Sequence, residues 1–282
     1  MNCFVRLIFS LVTAVSSSVR LGPYGGTIIA FGNTDESSSS LSPITRFIEE
    51  NSRKIEPLDF VGLLGNSLLQ FPRLAGDLET SFLPVLGDTD RGCATTYDND
   101  NRMIFPGLTF MSPYLIEEDR DELLCVWAID AYVFDDESYA ILDEEFAENF
   151  RHWNIMITHI PFFSFGESRN QTRVITFREK ILPIIQKNKI HLILSGHDHS
   201  TQVISDSTIS ALMLIVGAPV RVERDSVDTN FSQNPPTTKL LWYNDSEDGI
   251  VLRITYSIES ILWELVNVRD NKVSISGLID AI

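Results

Sequence analysis

The sequence has few cysteines, few basic side chains for its acidity, and no long apolar run. It has 282 residues, with 22 Lys and Arg against 39 Asp and Glu, which gives a formal net charge of −17. A chain this acidic has no general attraction for nucleic acid or for an anionic membrane surface. No uninterrupted apolar stretch reaches the roughly 20 residues that a membrane-spanning helix needs. The composition therefore predicts no nucleic-acid partner and no transmembrane helix.

The first 16 residues have the layout of a secretory signal peptide. Arg6 precedes the apolar run Leu7 to Val15, and Ala14 and Ser16 satisfy the small-residue rule for cleavage. We predict a signal peptide over residues 1–16 and a single domain over residues 17–282, so that the protein is secreted or resides in the lumen of the secretory pathway. A buried first strand or a short anchor is the alternative interpretation of the same run.

Three cysteines are compatible with an oxidising compartment without requiring it. Cys3 lies within the predicted leader, which leaves Cys93 and Cys125 as potential disulfide partners. Cys125 also lies inside the apolar run 123–129, where a cysteine serves equally well as a small buried apolar residue. The sequence leaves both interpretations open.

The pattern of apolar runs predicts an α/β protein. The predicted strands Thr27–Phe31, Leu58–Leu64 and Phe82–Leu86 are each followed by Gly and a polar residue. Helical spacing covers Val174–Asn188, and only strands are predicted after that helix. The acidic run 135–137 is most simply a solvated turn. We expect one domain with two sheets and outer helices, and with its site beyond the carboxyl ends of the strands.

Two histidine segments follow apolar strands and indicate a metal site. One is Gly196-His197-Asp198-His199, in which a glycine allows close backbone approach and two imidazoles are two residues apart. The other is Thr158-His159-Ile160-Pro161. The alternative is that these are surface-loop histidines, which the apolar strands before them disfavour.

These segments, taken with three others, carry a family resemblance. In order, the chain has Gly32-Asn33, Gly65-Asn66, Gly87-Asp88-Thr89-Asp90 and the two histidine segments. The series resembles the motifs of the calcineurin-like metallophosphoesterases, especially the small purple (tartrate-resistant type) acid phosphatases. The resemblance implies a four-layer α/β/β/α sandwich of two mixed sheets. It also implies two metal ions that bind and hydrolyse a phosphate monoester.

The chain departs from the family pattern at the metal ligands. Asn33 and Asn66 stand where the family has aspartates, the second of which bridges the two ions. Leu69 lies near the position of the family's tyrosine ligand, and Asp88 stands where the family has asparagine. Because carboxylates and a phenolate normally offset the charge of two cations, the loss of these groups predicts weaker metal binding.

The chain also departs from the pattern at the catalytic histidines. Thr89 and Ser168 stand where the family has histidines on the substrate side. A positioned general acid contributes about 10²–10⁴-fold to rate. No catalytic residue of the family is therefore intact, and conventional two-metal phosphatase activity is not expected.

The remaining ligands predict at most one divalent metal ion, zinc or iron, where the family normally has two. Asp88, His159 and His197 would hold it, with Asn66 as a neutral fourth ligand. The other site retains His199 with two amides, Asn33 and Asn66.

Asp35, two residues after Asn33, is a possible rescue ligand: it would add a carboxylate to the site of His199, Asn33 and Asn66 if its loop turns inward. We therefore expect a decayed enzyme with a binding or scaffold role and a protein partner. The alternative is an active phosphoesterase with an atypical metal site, whose ligand is a phosphate-containing small molecule.

Overall fold

The computed structural model describes most of the chain beyond residue 24. The described residues are 25–34, 41–53, 58–92, 94–97, 100–104, 113–115, 123–132, 136–148, 151–217, 234–244 and 249–281. The predicted leader, Asp35 and Cys93 lie outside them.

Thirteen strands are present in this part of the chain. They are β1 (Gly25–Phe31), β2 (Leu58–Leu64), β3 (Phe82–Val85), β4 (Pro113–Leu115), β5 (Leu124–Ile129), β6 (Trp153–Thr158), β7 (Leu192–Ser195), β8 (Thr201–Asp206), β9 (Leu212–Val216), β10 (Thr238–Tyr243), β11 (Ile250–Ser257), β12 (Ser260–Asn267) and β13 (Val273–Asp280). The longer helices are α1 (Ser42–Ser52), α2 (Phe71–Ala75), α3 (Asp136–Glu148) and α4 (Thr172–Lys187).

The strands form two mixed sheets. The first has six strands in the order β13-β12-β11-β1-β2-β3, and the second has seven in the order β10-β8-β9-β7-β6-β5-β4. Strands β1, β2 and β3 run parallel in the first sheet, as do β5, β6, β7 and β9 in the second. Their carboxyl ends gather at one edge of each sheet, which is where polar residues follow the strands.

The burial pattern defines four layers. One apolar cluster joins α1 and α2 to the first sheet and continues into the inner face of the second sheet. A second cluster packs the outer face of the second sheet against α3 and α4. Strands such as β2 and β5 read as nearly continuous apolar runs because both of their faces are covered. The predicted α/β/β/α sandwich is confirmed.

Two details differ from the sequence-based expectations. The run 135–137 was expected to be a turn, but Asp136 begins α3, whose apolar residues Leu142 and Phe146 pack into the second cluster. Acidic residues in a first helical turn complement the helix dipole, so this charge run marks a helix start. Strand β8 was not predicted, because its sequence TQVISD is mostly polar although the strand is almost entirely buried.

Cys125 is a free, buried cysteine on β5, which favours its interpretation as a small apolar residue. Burial raises the pKa of its thiol to about 12. Among the described residues, no helix is both long enough and apolar enough to cross a membrane.

Candidate metal centre

The carboxyl ends of strands from both sheets meet at the candidate site. After β1, the Gly32 N–H donates to the Val216 carbonyl at the end of β9, at 2.8 Å. At the end of β2, the Leu64 carbonyl accepts from Nδ1 of His159, which follows β6, also at 2.8 Å. These two bonds join the sheets at the edge where the predicted motifs lie.

His159 is fully buried and its orientation is fixed by the chain around it. Because the Leu64 carbonyl can only accept, Nδ1 carries a proton, and Nε2 is the ring nitrogen that faces His197 and Asp88. Gly65 has φ +86°, and a Cβ there would lie 2.1 Å from Nδ1 of His159. Glycine at position 65 therefore both permits the left-handed turn and makes room for the imidazole.

His197 presents its ring to His159 from the end of β7. Its backbone is left-handed, with φ 66°, an uncommon conformation for a residue with a side chain. Its Nε2 lies 2.8 Å from Oε1 of Gln171, and its Nδ1 lies 3.1 Å from Nε2 of His159. Burial, followed by the neighbouring His159, lowers the pKa of His197 to about 4, so this ring is neutral at pH 7.

Asp88 completes a group of three donor atoms. Its Oδ2 lies 3.3 Å from Nδ1 of His197 and 3.7 Å from Nε2 of His159. A triangle with edges of 3.1, 3.3 and 3.7 Å has one point at about 2.0 Å from all three corners, which is the length of a zinc–nitrogen or zinc–oxygen bond. The three atoms therefore fit one transition-metal ion with a further coordination position left open.

The charges at this group also suit a cation. The neighbouring imidazole of His159 is the largest cause of a pKa of Asp88 held well below its usual range; desolvation opposes it, and Tyr132 and His197 add smaller lowering effects. Asp88 is thus ionised, and its carboxylate faces Nε2 of His159 and Nδ1 of His197. The group, which we call the Asp88 cluster (Asp88, His159 and His197), brings one carboxylate oxygen and two imidazole nitrogens within 4.8 Å of one another.

The two asparagines lie at the same edge, where other polar groups hold their side chains. Oδ1 of Asn66 accepts from the N–H and the hydroxyl of Thr89, at 3.0 and 3.2 Å. Nδ2 of Asn33 donates to the Asp198 carbonyl at 3.2 Å, whereas its Oδ1 is buried without a hydrogen-bond partner among the described residues. Both residues have left-handed backbones, with φ 56° at Asn33 and φ 53° at Asn66, a conformation that asparagine adopts readily.

The other predicted site residues differ in their exposure and partners. His199 is half-buried and is not one of the three grouped ligands. Thr89 is exposed, with its hydroxyl directed to Asn66. Ser168 is buried, and its N–H donates to Asp198 at 2.9 Å. Leu69, near the expected tyrosine position, is 54% exposed.

Asp90 fixes the loop that follows β2. It is fully buried and its carboxylate accepts four backbone N–H groups, from Asn66, Ser67, Leu68 and Gly87, at 2.6 to 3.0 Å. A carboxylate with several backbone donors makes strong, charge-assisted hydrogen bonds. This residue positions the turns at Gly65-Asn66 and Gly87-Asp88 relative to each other.

Four residues near the site lie outside every sequence motif and were not predicted: Gln171, Arg173, Tyr132 and Arg91. Gln171, just before α4, contacts His197, and Arg173 in the first turn of α4 contacts Asp88 at 3.2 Å. Tyr132, after β5, lies against Arg91 and Arg173, and its buried hydroxyl has no hydrogen-bond partner among the described residues. Burial first, and then Asp88, raises the pKa of Tyr132 above its usual range.

Comparisons with known proteins agree with this fold. No family model matches the chain. Over 111 residues, 39% of this chain and 31% of the relative, it is 28% identical to purple acid phosphatase 17 of Arabidopsis thaliana. The chain thus matches less than a third of that relative's length.

Two solved structures are similar over most of the chain. GAP50 of Plasmodium, described as the anchor in the inner membrane complex, superposes with a TM-score of 0.67 at 16% identity, covering 92% of this chain and 89% of that one. Purple acid phosphatase PPD1 of yellow lupin superposes with a TM-score of 0.60 at 14% identity, covering 91% and 54%. The chain has the fold of the calcineurin-like phosphoesterases, and the predicted resemblance is confirmed at that level.

Proposed function

We propose that this chain binds one divalent metal ion at the Asp88 cluster and has a binding or scaffold role, its two-metal phosphatase centre having decayed. The observation that carries the proposal is the convergence of three donor atoms, from Asp88, His159 and His197, on one point at metal-ligand distance. The same edge of the fold offers no comparable carboxylate at Asn33 or Asn66.

The amides explain why a second ion is not expected. An aspartate at position 66 would bring a negative charge between two cations, but Asn66 is neutral and its Oδ1 already accepts two hydrogen bonds from Thr89. Asn33 supplies at best one neutral oxygen. Hard divalent cations are held tightly by anionic oxygens, so this half of the site retains little affinity.

The donor set suits zinc or iron. Two imidazoles and one carboxylate form a three-ligand zinc site with an open fourth position, and also the facial set that binds ferrous iron. A bound ion would supply Lewis acidity at that open position. The residues of this chain would orient it: Leu64 fixes the ring of His159, and Gln171 fixes the ring of His197.

The scaffold part of the proposal rests on what the site has lost. Thr89 and Ser168 supply no titratable general acid at the positions where the family has histidine. GAP50, which covers nearly the same length of chain, is described as an anchor, and this supports a role in holding a protein partner. We propose further that the protein is secreted through the leader at residues 1–16, which N-terminal sequencing of the protein from culture medium would test.

Metal stoichiometry of the full chain tests the central claim. We expect one zinc or iron ion per chain by elemental analysis, lost in His197→Ala and kept in His152→Ala, a matched change at an exposed histidine. Two ions per chain, or one ion that survives His197→Ala, would overturn the proposal.

An active phosphoesterase is the second candidate, because three protein ligands and an open position are typical of catalytic zinc sites. It predicts hydrolysis of a chromogenic phosphate monoester at acidic pH that disappears in His197→Ala. Under the scaffold proposal, wild type and His197→Ala show the same background rate.

A further inference from the structure

Asp88 has a cationic neighbour that belongs to the chain itself. Nη1 of Arg173 lies 3.2 Å from Oδ1 of Asp88, while Oδ2 of the same carboxylate faces the two imidazoles. The Arg173 side chain is 50% exposed and the Asp88 side chain 45% exposed, so both are accessible from solvent. Each oxygen of Asp88 therefore has a different set of neighbours.

The guanidinium of Arg173 is held in place by an aromatic stack. Its Cζ lies 4.3 Å from the centre of the Tyr132 ring, and Cζ of Arg91 lies 4.6 Å from the same centre. Arg91 is in turn anchored to both carboxylate oxygens of Asp130, at 2.7 and 3.0 Å. We call Arg91, Tyr132 and Arg173 the Arg–Tyr–Arg stack. It fixes a guanidinium plane beside the Asp88 cluster at the first turn of a helix, where the helix dipole is also positive.

Most N–H donors of the Arg173 guanidinium have no hydrogen-bond partner among the described residues. A guanidinium carries five N–H donors in a fork that matches two oxygens of a phosphoryl group. Only one hydrogen bond of this guanidinium is formed among the described residues, that to Asp88. Arg91 is paired through Nη2 with Asp130, whereas Arg173 lies beside Asp88, so Arg173 is the member of the stack placed to contact a ligand at the cluster.

We propose that Arg173 recognises a phosphoryl oxyanion bound next to the Asp88 cluster, and that it couples the binding of this oxyanion to the binding of a metal ion. The inference rests on the proposed function. A cation at the cluster competes with Arg173 for the charge of Asp88. An oxyanion draws the guanidinium away from that carboxylate and contacts both cations. Oxyanion and metal ion therefore strengthen each other's binding, and by linkage the factor is the same in both directions.

A purely structural stack makes different predictions. If Arg173 only braces Asp88, its removal weakens metal binding, because the carboxylate becomes less well positioned. If Arg173 competes for Asp88, its removal tightens the binding of the metal ion alone and abolishes the effect of the oxyanion. The sign of the change in metal affinity therefore separates the two roles.

The test is a titration of the full chain with Co²⁺, followed by its visible absorption, with and without phenylphosphonate. Phenylphosphonate represents a phosphate monoester that cannot be hydrolysed, and a second arm uses inorganic phosphate. In wild type we expect phenylphosphonate to tighten Co²⁺ binding about tenfold. In Arg173→Gln, Co²⁺ alone should bind several-fold tighter, with less than twofold coupling. A tightening by phenylphosphonate but not by phosphate identifies an ester ligand, and the reverse identifies the free anion.

Lys187→Gln is the matched control, because it removes a cation and its surface ion pair with Asp143 from the other end of α4. That end is about 20 Å away. The control should behave as wild type. Coupling that persists in Arg173→Gln overturns the inference.

Failure of the proposed function gives a different result. If wild type binds no Co²⁺, the metal proposal is wrong. Calorimetric titration with phenylphosphonate alone then tests the oxyanion subsite. Binding to wild type that is lost in Arg173→Gln supports the subsite, and no binding to wild type overturns it. Thermal unfolding of each variant checks that a loss of binding is not caused by a loss of the folded structure.

Discussion

Nε2 of His159 and Nδ1 of His197 face each other across 3.1 Å, although each ring directs its other nitrogen to an oxygen acceptor. With protons on Nδ1 of His159 and Nε2 of His197, two lone pairs point at one another. This contact is unfavourable unless a proton or a metal ion lies between the nitrogens. The pair is therefore a preformed position for a cation, and Asp88 supplies the balancing charge.

Gln171 is expected to determine how well His197 binds metal. Its Oε1 accepts from Nε2 of His197 at 2.8 Å, which keeps Nδ1 available to the cluster. Gln171→Leu should weaken Zn²⁺ binding about 10- to 100-fold, as measured by competition with a chelating dye. Gln171→Glu retains an acceptor and should bind at least as tightly as wild type. Equal affinity in all three proteins would show that the ring is held by other contacts.

Introducing two carboxylates at positions 33 and 66 should allow a second metal ion to bind. The double variant Asn33→Asp with Asn66→Asp adds two negative charges at left-handed positions that aspartate also tolerates. We expect the metal content measured by plasma emission to rise from one ion to two per chain. Asn271→Asp is the control, because Asn271 is also left-handed, with φ 57°, but lies in an exposed turn. A double variant that still binds one ion would show that the amides are not what limits the chain to one ion.

Asp90 should be essential for stability. Asn in its place has one acceptor oxygen for four buried N–H donors and turns an NH₂ group toward some of them. Leaving buried donors unpaired predicts a loss of about 3 kcal/mol in the free energy of unfolding, measured in urea. Asp270→Asn, at an exposed turn where the carboxyl also accepts a backbone N–H, should have little effect. A stable Asp90→Asn protein would mean that other contacts hold the loop.

His191 should make the fold sensitive to acid. It is buried, its Nδ1 accepts the Asn154 N–H at 3.0 Å, and burial lowers its pKa to about 4. Between that value and the unfolded value near 6.5, the unfolded chain binds a proton that the folded chain does not, so stability falls as the pH falls through this window. Lowering the pH from 7 to 4.5 should cost about 2 to 3 kcal/mol through this residue.

The prediction for His191 is checked by comparing how much unfolding free energy two proteins lose between pH 7 and pH 4.5. His191→Asn keeps an acceptor for Asn154 but does not titrate. Urea unfolding at pH 7 and 4.5 should show a smaller loss for the variant than for wild type. The same loss in both proteins would assign the acid sensitivity to other groups.

The sequence was informative about the fold because its signals are local. Strands such as β2 are continuous apolar runs that end at glycine, and their C-terminal polar residues had to gather at one sheet edge whatever the details. The segments around His159 and His197 likewise follow buried strands. The polar strand β8 and the acidic start of α3 were missed, because burial of a polar strand and a helix that starts with acidic residues depend on neighbours.

The sequence by itself determined that amides stand at positions 33 and 66, where the resembled family has carboxylates, and that imidazoles stand at 159 and 197. Only the tertiary structure decided which groups meet. It brings Asp88 from the first sheet to His159 and His197 from the second, occupies Asn66 with Thr89, and adds Gln171, Arg173 and Tyr132 from outside every motif. The physical reason is that contact between sheets depends on how the two layers pack and twist, and no spacing along one chain segment encodes that distance.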